Sequence, residues 1–425
     1  MRLIRTRSRS ADAALAALIE RGSTSLESVQ PAVKRIVADV RRSGDRALLR
    51  YARRFDRLAA DAAIRVDADE MAAAWSKIDP ALQDALKTAA KQIRAFAERQ
   101  SPKSWMTAAA PGLRTGQLVR SIDAVACYVP GGRHPLPSTM LMTVVPAQVA
   151  GVPRIAVFSP NPATETLATA HLLGITEIYR IGGAHAIAAA AYGTESIPRV
   201  SKIVGPGNLY VTAAKRMVAQ ERGPGSIDML AGPTEIVVTS EEGKAASIAA
   251  DLVAQAEHDP ATLSLFITTK EPLARAVIAE VKRQSKDNAT AKEALKSNGY
   301  AVICRTIEEA RALTNQIAPE HLTVDSAADL DWVEHAGSVF VGPYSPQPMG
   351  DYISGPNHTL PTGGTARFRG GLSVNDFVKL ITVQEYSREG LKRLSPKAIR
   401  IAEAEGLSGH AAAIRERLQE SRNLR

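Results

Sequence analysis

Short β-branched runs that alternate with helical segments constrain the fold of this chain more than any other feature. Eight such runs lie between about residue 123 and residue 341, and the segments between them keep apolar residues at helical spacing. Strands separated by helices are typical of βαβ units, so the pattern predicts an α/β fold with parallel sheets. Eight strands fit two smaller sheets at least as well as one large sheet. The runs are DAVACYVPG, RIAVFSP, EIYRIGG, KIVGPG, EIVVTS, LSLFITT, AVICRT and SVFVGP.

Helical patterns flank this region on both sides. Residues 11–101 keep apolar residues at helical spacing with charges between them, and the tail from about residue 376 returns to the same pattern. Residues 342–374 show neither period and are rich in Gly and Pro, but they also carry Tyr, Ile, Leu and Phe. A long irregular segment with apolar residues predicts an ordered, functional loop.

Length and cysteine content set the broad class of the protein. The 425 residues exceed the usual size of one hydrophobic core, so two or more domains are expected. We find no run near the roughly 18 uninterrupted apolar residues that a membrane-spanning helix needs. Two cysteines are too few for a disulfide framework or a thiolate metal cluster, and a cytoplasmic protein is expected.

The net charge of +9 indicates an attraction to anions. The sequence shows no basic stripe interleaved with aromatic residues, which make up only 4% of the chain, so we do not predict nucleic-acid binding. A diffuse basic surface and an anionic cofactor explain the charge equally well.

Several of the eight histidines lie beside other metal-ligating residue types. Gln255 and His258 are three residues apart and share one face at the predicted end of a helix. His358 follows Asp351 by seven residues in the irregular loop, and His410 lies in the tail. Imidazole, carboxylate and amide groups suit zinc, but this spacing matches no local metal signature. On the residues alone, a metal site and ordinary surface histidines stay equally open.

The adjacent pair Glu320 and His321 offers acid–base chemistry. Pro319 breaks the preceding helix, so the two side chains can aim in different directions, one taking a proton while the other activates water. A helix terminus that happens to carry a charged pair is the alternative.

The segment IVGPGN at residues 203–208 lies between a predicted strand and a predicted helix. Backbone amides at such a junction suit phosphate groups. The segment lacks the third glycine of a dinucleotide fingerprint, so a tight turn explains it as well.

Seven strings occur together in the order of one family and resemble histidinol dehydrogenase. The resemblance runs from about residue 30 to about residue 415. Several long strings in register are far more specific than any motif above. The strings are YVPGG (128–132), KIVGPGNLYVTAAKR (202–216), IDMLAGPTEIVV (227–238), QAEHDP (255–260), APEHL (318–322), GDYISGPNHTLPTGGTARF (350–368) and AEGLSGH (404–410).

The resemblance implies an NAD-dependent alcohol and aldehyde dehydrogenase of histidine biosynthesis. That family oxidises L-histidinol to L-histidine through a retained L-histidinaldehyde with two NAD, the last two steps of the pathway. It implies one zinc ion per subunit, which holds the substrate's imidazole and amine and so positions the reacting carbon. The implied zinc ligands are Gln255, His258, Asp351 and His410.

The resemblance also assigns roles to single residues. His321 matches the family's general base, and Glu320 matches the residue that activates water for the second oxidation. The implied substrate contacts are Thr234, Gln255, His258, His321, Asp351, His358, Glu405 and His410, and the implied NAD contacts are Tyr128, His185 and Asn208.

Two positions depart from the family's usual residues. Thr234 stands where the family usually has serine, and His185 stands where a glutamine contacts NAD. Imidazole still offers one donor and one acceptor, so we expect His185 to face the cofactor, with weakened or pH-dependent affinity.

The family architecture has two incomplete Rossmann-like domains, one inserted in the other, with small helical terminal segments. By resemblance, residues 1–24 form an N-terminal helical segment, residues 25–129 and 235–375 the first domain, and residues 130–234 the inserted NAD-binding domain. Residues 376–425 form a helical tail that is exchanged in a homodimer, so that Glu405 and His410 complete the partner's site.

Three other functions stay open. A zinc- and NAD-dependent dehydrogenase of the same superfamily for another polar alcohol is the nearest, because of Thr234 and His185. A zinc hydrolase would use Glu320 as the base toward water. A basic binding protein without catalytic activity is the third. Cys127 is expected to be a small strand residue rather than a nucleophile.

Overall fold

The computed structural model describes residues 1–6, 9–21, 26–131 and 135–423. Its α-helices are α1 (Arg9–Ile19), α2 (Gln30–Phe55), α3 (Ala68–Lys77), α4 (Pro80–Gln100), α5 (Pro137–Val149), α6 (Thr164–Leu172), α7 (Gly183–Tyr192), α8 (Leu209–Arg222), α9 (Ala245–Ala256), α10 (Glu271–Gln284), α11 (Ala289–Asn298), α12 (Ile307–Ile317), α13 (Gln347–Tyr352), α14 (Arg388–Ala404) and α15 (Ser408–Asn423). Its strands are β1 (Arg2–Arg5), β2 (Trp105–Ala110), β3 (Leu113–Ser121), β4 (Ala124–Tyr128), β5 (Arg154–Phe158), β6 (Glu177–Tyr179), β7 (Lys202–Val204), β8 (Glu235–Thr239), β9 (Leu263–Thr268), β10 (Gly299–Ile303), β11 (His321–Val324), β12 (Ser338–Val341) and β13 (Val378–Tyr386).

These elements form two compact units. The first comprises Met1–Gln100 and Ile122–Phe377, and the second comprises Ser101–Ser121 and Val378–Arg425. The first unit contains two sheets, one of six strands in the order β1-β10-β9-β8-β11-β12 and one of four strands in the order β6-β5-β4-β7. The strand pairs in both sheets are parallel, which confirms the predicted α/β class and the expectation of two smaller sheets.

The six-stranded sheet is covered on both faces. Every residue of β8 and β9 is buried, and apolar residues on both faces of these strands replace the alternation of a half-exposed strand. Helices α9, α10 and α11 pack on one face around Phe266, whereas α1 and α12 pack on the other face around Leu265. This arrangement gives the larger sheet two hydrophobic cores.

The four-stranded sheet is built in the same way. Its central strand β4 is fully buried, with α2, α7 and α8 on one face and α3, α4, α5 and α6 on the other. The predicted boundary of the inserted domain at residue 130 falls after β4, although β4 is paired with β5 and β7 in this sheet. All the predicted domain boundaries, including that at residue 130, stay predictions.

The second unit corrects the prediction of a wholly helical tail. Strand β13 precedes α14 and α15, and it pairs in antiparallel fashion with β3, which in turn pairs with β2. The sequence VKLITVQEY alternates only weakly, and most of its side chains are exposed, so its apolar residues lack the burial contrast that identifies a strand. Strands β2 and β3 were also missed, because they follow the long helical run of α4 directly.

The N-terminal segment, predicted as helical over residues 1–24, begins instead with strand β1. This strand pairs with β10 at the edge of the six-stranded sheet, with Leu3 opposite Ala301 and Ile4 opposite Val302. An edge strand tolerates exposed charged residues, so arginines can flank its two apolar residues. A strand of four residues carries too little periodicity to be recognised from sequence.

None of the described helices combines the length and the apolar character that a membrane span requires.

Phe266 lies in the middle of β9 and is completely buried, whereas Phe368 is 78% exposed. We expect Phe266→Ala to lower the free energy of unfolding by about 3–5 kcal/mol, because the cavity left in the sheet is only partly refilled. The matched variant Phe368→Ala should change it by less than about 0.5 kcal/mol. Urea unfolding of both variants measures this difference, and equal losses would contradict the assignment of the core.

Candidate active site

The amino ends of β8 and β11 bring the predicted catalytic residues together. These strands are adjacent and parallel, with Ile236 opposite His321, so Thr234 and Glu320 meet at one sheet edge. Helix α9 follows β8 and runs back to this same edge, which places Gln255 there in its last turn. The predicted helix end near Gln255 and His258 is therefore confirmed within a few residues, but α9 ends at Ala256 and His258 lies beyond it. His321, predicted near a helix terminus, is the first residue of a buried strand.

Hydrogen bonds link Thr234, Gln255 and Glu320, and His321 lies beside them with its Nδ1 3.6 Å from Glu320 Oε2. We call these four side chains the acid–base cluster. The Thr234 hydroxyl donates to Glu320 Oε2 at 2.5 Å, and the backbone N–H of Glu235 donates to the same oxygen at 2.8 Å. Gln255 Nε2 donates to the Thr234 hydroxyl oxygen and lies 3.5 Å from His321 Nδ1. The threonine hydroxyl thus bridges the carboxylate and the amide.

The surroundings of His321 fix which ring nitrogen is free to react. Its Nδ1 lies 3.1 Å from the Glu235 carbonyl oxygen, which can only accept, so Nδ1 carries the proton when the ring is neutral. Its Nε2 faces Asp351 Oδ1 at 3.7 Å. Burial lowers the pKa of His321, but the charges and hydrogen bonds of Glu320 and Asp351 outweigh it and raise the pKa to about 10.

Asp351 is held on the short helix α13 by its neighbours. Gln347 Nε2 donates to Asp351 Oδ2 at 2.8 Å, and His358 Nδ1 donates to the Asp351 carbonyl oxygen at 2.9 Å. His358 Nε2 lies 3.4 Å from the Thr139 hydroxyl, and burial lowers the pKa of His358. A cavity of about 270 Å³, which we call the substrate pocket, lies beside His321, Asp351 and His358.

The donor set fits a divalent cation. Gln255 Oε1 is buried without a hydrogen-bond partner, and an orphaned amide oxygen of this kind is suited to a cation. His258 Nδ1 lies 3.1 Å from the Gln255 carbonyl oxygen, and this bond leaves Nε2 as the ligating atom. Together with the Asp351 carboxylate, these groups are amide oxygen, imidazole nitrogen and carboxylate oxygen, all of which zinc accepts.

Of the predicted zinc ligands, Gln255, His258 and Asp351 belong to the first unit. Glu405 and His410 belong to the second unit, where Glu405 caps the end of α14, His410 lies in the first turn of α15, and both are exposed. Within the described ranges, no three His, Cys, Asp or Glu side chains are grouped closely enough to hold a metal ion.

The three predicted NAD contacts share a second cavity, at the carboxyl edge of the four-stranded sheet. Tyr128 ends β4, His185 lies in the first turn of α7 after β6, and Asn208 caps α8 after β7. The cavity has a volume of about 870 Å³, and all three residues line it. We call it the cofactor cavity, because ligands of parallel α/β sheets bind at this edge.

His185 makes a contact that the sequence did not suggest. It is 1% exposed, and its Nε2 lies 2.7 Å from Asp56 Oδ2, which also accepts the backbone N–H of Gly182 at 3.1 Å. The Tyr128 hydroxyl oxygen accepts the N–H of Gly183 at 3.1 Å. Asp56 and Tyr128 thus hold the start of α7 in the cavity wall, and one nitrogen of His185 is already engaged.

Sequence reasoning missed several residues of these sites. Asp56 follows α2 far from any motif, and Gln347 was only part of an irregular loop. Gln347 is completely buried, it binds Asp351, and its backbone N–H is accepted by the Asp251 carboxyl group. Asp251 lies one turn before Gln255 in α9. The shared helical face of these two residues was the one sequence signal that Asp251 belongs to the site.

The two cysteines are unsuited to nucleophilic catalysis. Burial raises the pKa of both Cys127 and Cys304 to about 12, so their thiols stay protonated at neutral pH. Cys127 lies inside β4 with no exposed surface, as expected for a small strand residue.

Comparison with known proteins identifies the family. The histidinol dehydrogenase family profile matches residues 19–418. This chain belongs to the histidinol dehydrogenase family. Histidinol dehydrogenase from Syntrophotalea carbinolica is 45% identical over 421 residues, covering 96% of this chain and 97% of that protein. Histidinol dehydrogenase from Bacillus cereus is 46% identical over 407 residues, covering 93% of this chain and 94% of that protein.

A solved structure extends the family match to three dimensions. The crystal structure of histidinol dehydrogenase from Elizabethkingia anophelis has a TM-score of 0.92 and 35% identity, and the match covers 99% of this chain and 98% of that chain. Membership in the histidinol dehydrogenase family confirms the predicted enzyme class, an NAD-dependent oxidoreductase that acts on an alcohol and its aldehyde.

Proposed function

We propose that this protein oxidises L-histidinol to L-histidine through L-histidinaldehyde with two NAD, using one zinc ion per subunit. The observation that carries the proposal is the acid–base cluster beside a buried, unpartnered Gln255 Oε1, in a chain of the histidinol dehydrogenase family. Under this proposal the protein catalyses the last two steps of histidine biosynthesis.

Gln255, His258 and Asp351 would hold the zinc ion together with His410. When bound, zinc would hold the imidazole and amine of the substrate and so fix the position of the reacting carbon. Asp351, once its carboxylate is shared with a divalent cation, no longer raises the pKa of His321 as strongly. The pKa of His321 would then be lower, which favours the neutral imidazole that a general base requires, while Glu320 still raises it.

In the first oxidation, His321 Nε2 takes the proton of the substrate hydroxyl. At the same time a hydride passes to NAD from the carbon that carries this hydroxyl. Nδ1 stays bonded to the Glu235 carbonyl oxygen, which keeps the ring oriented. In the second oxidation, Glu320 takes a proton from water as the water oxygen bonds to the aldehyde carbon. The proton that His321 took in the first oxidation passes to the former carbonyl oxygen, which gives a diol. His321 then takes a proton from one diol hydroxyl as the hydride that remains on this carbon leaves for a fresh NAD, so each histidinol yields two NADH.

The remaining residues bind and orient the catalytic groups, the substrate and NAD. Thr234 holds the Glu320 carboxylate through its hydroxyl, as a serine hydroxyl would, and its extra methyl group adds bulk. His358 lines the substrate pocket with its Nε2 near Thr139, and Glu405 is suited to the substrate's amine. Tyr128, His185 and Asn208 form part of the wall against which NAD binds.

The decisive experiment counts NADH per histidinol consumed, with and without a chelator. We expect two NADH per substrate and loss of activity on chelation that added zinc restores. One NADH per histidinol would contradict the second oxidation. NADH from another polar amino alcohol but not from histidinol would favour a different dehydrogenase of the superfamily, and NADH from neither would favour a hydrolase or a binding protein.

His185→Gln tests the cofactor cavity. A glutamine amide can donate to Asp56 and still present a second polar atom to the cofactor, so we expect the KM for NAD to fall by about threefold to tenfold, the worth of one net hydrogen bond. Steady-state kinetics with varied NAD concentration measures this KM. His171→Gln, at an exposed position of α6, is the matched control. An unchanged KM in the His185 variant would remove His185 from the NAD site.

Glu405 and His410 are proposed to act in the partner subunit of a homodimer. Co-expressed His258→Ala and His410→Ala chains should then recover about a quarter of wild-type activity, because half of the dimers are mixed and each mixed dimer has one intact site. Differently tagged chains allow the mixed dimer to be isolated and assayed.

The control pairs His258→Ala with Asp351→Ala, where no intact site can form because both changes lie in the same half of the ligand set. Recovery in neither mixture, with mixed dimers present, would show that each chain uses its own tail.

A further inference from the structure

A buried ion pair outside both cavities joins the segments that carry them. Lys215 lies on α8 and Asp228 lies beyond it, and their side chains are 3% and 0% exposed. Lys215 Nζ is bonded to Asp228 Oδ1 and donates to the Gly205 carbonyl oxygen at 2.9 Å. A buried charged pair costs desolvation free energy, and nothing in the acid–base cluster uses this one.

Both backbone groups of Gly205 are bound by this pair. Its N–H donates to Asp228 Oδ2 at 2.7 Å, and its carbonyl oxygen accepts from Lys215. Gly205 has φ of +107°, and a Cβ atom here would lie 2.2 Å from the Tyr128 carbonyl oxygen. The turn is therefore fixed in a conformation that only glycine adopts easily, directly against the backbone of Tyr128.

The same turn leads to Asn208 in the cofactor cavity. Asn208 Oδ1 accepts from the N–H groups of Tyr210 and Val211 at 3.0 and 3.2 Å, so its side-chain NH₂ is the group left for a ligand. Lys215 lies two helical turns further along α8 and reaches back to Gly205. The pair thus closes the loop that presents Asn208.

Asp228 also holds the segment that leads to the acid–base cluster. Its Oδ1 accepts the N–H of Met229 at 2.6 Å, and its carbonyl oxygen accepts from Arg369. This segment ends at Thr234, which contacts Glu320 and Gln255. The ion pair is therefore bonded to the turn of the cofactor cavity and, at Met229, to the segment that reaches the acid–base cluster five residues later.

We propose that Lys215 and Asp228 are positioning residues that set the cofactor cavity in register with the acid–base cluster for hydride transfer. They touch neither cavity's reacting groups, and they act through Gly205 and through residues 228–234. The inference rests on the proposed function, because it requires NAD in the cofactor cavity and the alcohol beside His321.

Lys215→Met tests this, since methionine keeps the length and removes the charge and the donor. We expect kcat/KM for NAD to fall about 10- to 100-fold, as reacting groups lose alignment. Histidinol affinity, measured by calorimetry without NAD, and bound zinc should be unchanged. Lys215→Arg keeps the charge and should recover part of the loss, whereas a merely structural defect would lower all three quantities together.

The matched control is Arg154→Met, which removes the partly buried ion pair of Arg154 with Glu177 in the same four-stranded sheet. Its kcat/KM for NAD should match the wild type. Asp228→Asn, which keeps an acceptor for Gly205, replaces Lys215→Met if that variant fails to fold. A folded variant of either residue with wild-type kcat/KM for NAD overturns the inference. Absence of NADH from histidinol in the unmodified protein would instead overturn the proposed function.

Discussion

Parallel pairing of β8 with β9 and β11 determines where the reactive side chains of the larger sheet can lie. Because each strand is followed by a helix that runs the opposite way, the start of one strand and the end of the preceding helix meet at one edge. Thr234, Glu320 and Gln255 occupy that edge although they are far apart in sequence. The smaller sheet uses its opposite, carboxyl edge for the cofactor cavity. Both sites therefore depend on the same connectivity, in which helices that run the opposite way join parallel strands.

Burial gives this arrangement its electrostatic character. Glu320 and His321 are almost fully buried, so each charge must be matched by a neighbour. Glu320 accepts from a hydroxyl and a backbone amide, and His321 lies between two carboxylates that raise its pKa. Gln255 Oε1 is buried in the acid–base cluster without such a partner. A cation at that point would complete the pairing of the buried groups.

The parts of the fold that the sequence predicted are those with long-range periodicity or strong apolar content. The eight β-branched runs are all strands, because buried parallel strands are apolar on both faces. Strands β1 and β13 were missed, because exposed strands carry mixed side chains that resemble helix surfaces. His321 was predicted at a helix end rather than in a strand, since the pairing of β11 with β8 and β12 is known only from the folded sheet.

The sequence predicted only those residues of the candidate site that belong to recognisable motifs. The spacing of Gln255 and His258 suggested shared ligation, and resemblance to a family supplied the remaining residues. Asp56, Gln347 and the pair of Lys215 with Asp228 support those residues from segments without a motif. Their roles follow from contacts across the fold, which no local pattern encodes.

Strand β1 has a consequence for handling the protein. It covers the hydrogen-bonding edge of β10 with only four residues. Trimming those residues, or displacing them with a fused tag, would leave a row of unpaired amides and carbonyls on an otherwise apolar strand. Such an open edge recruits strands from other molecules, so aggregation would follow before any loss of the catalytic groups.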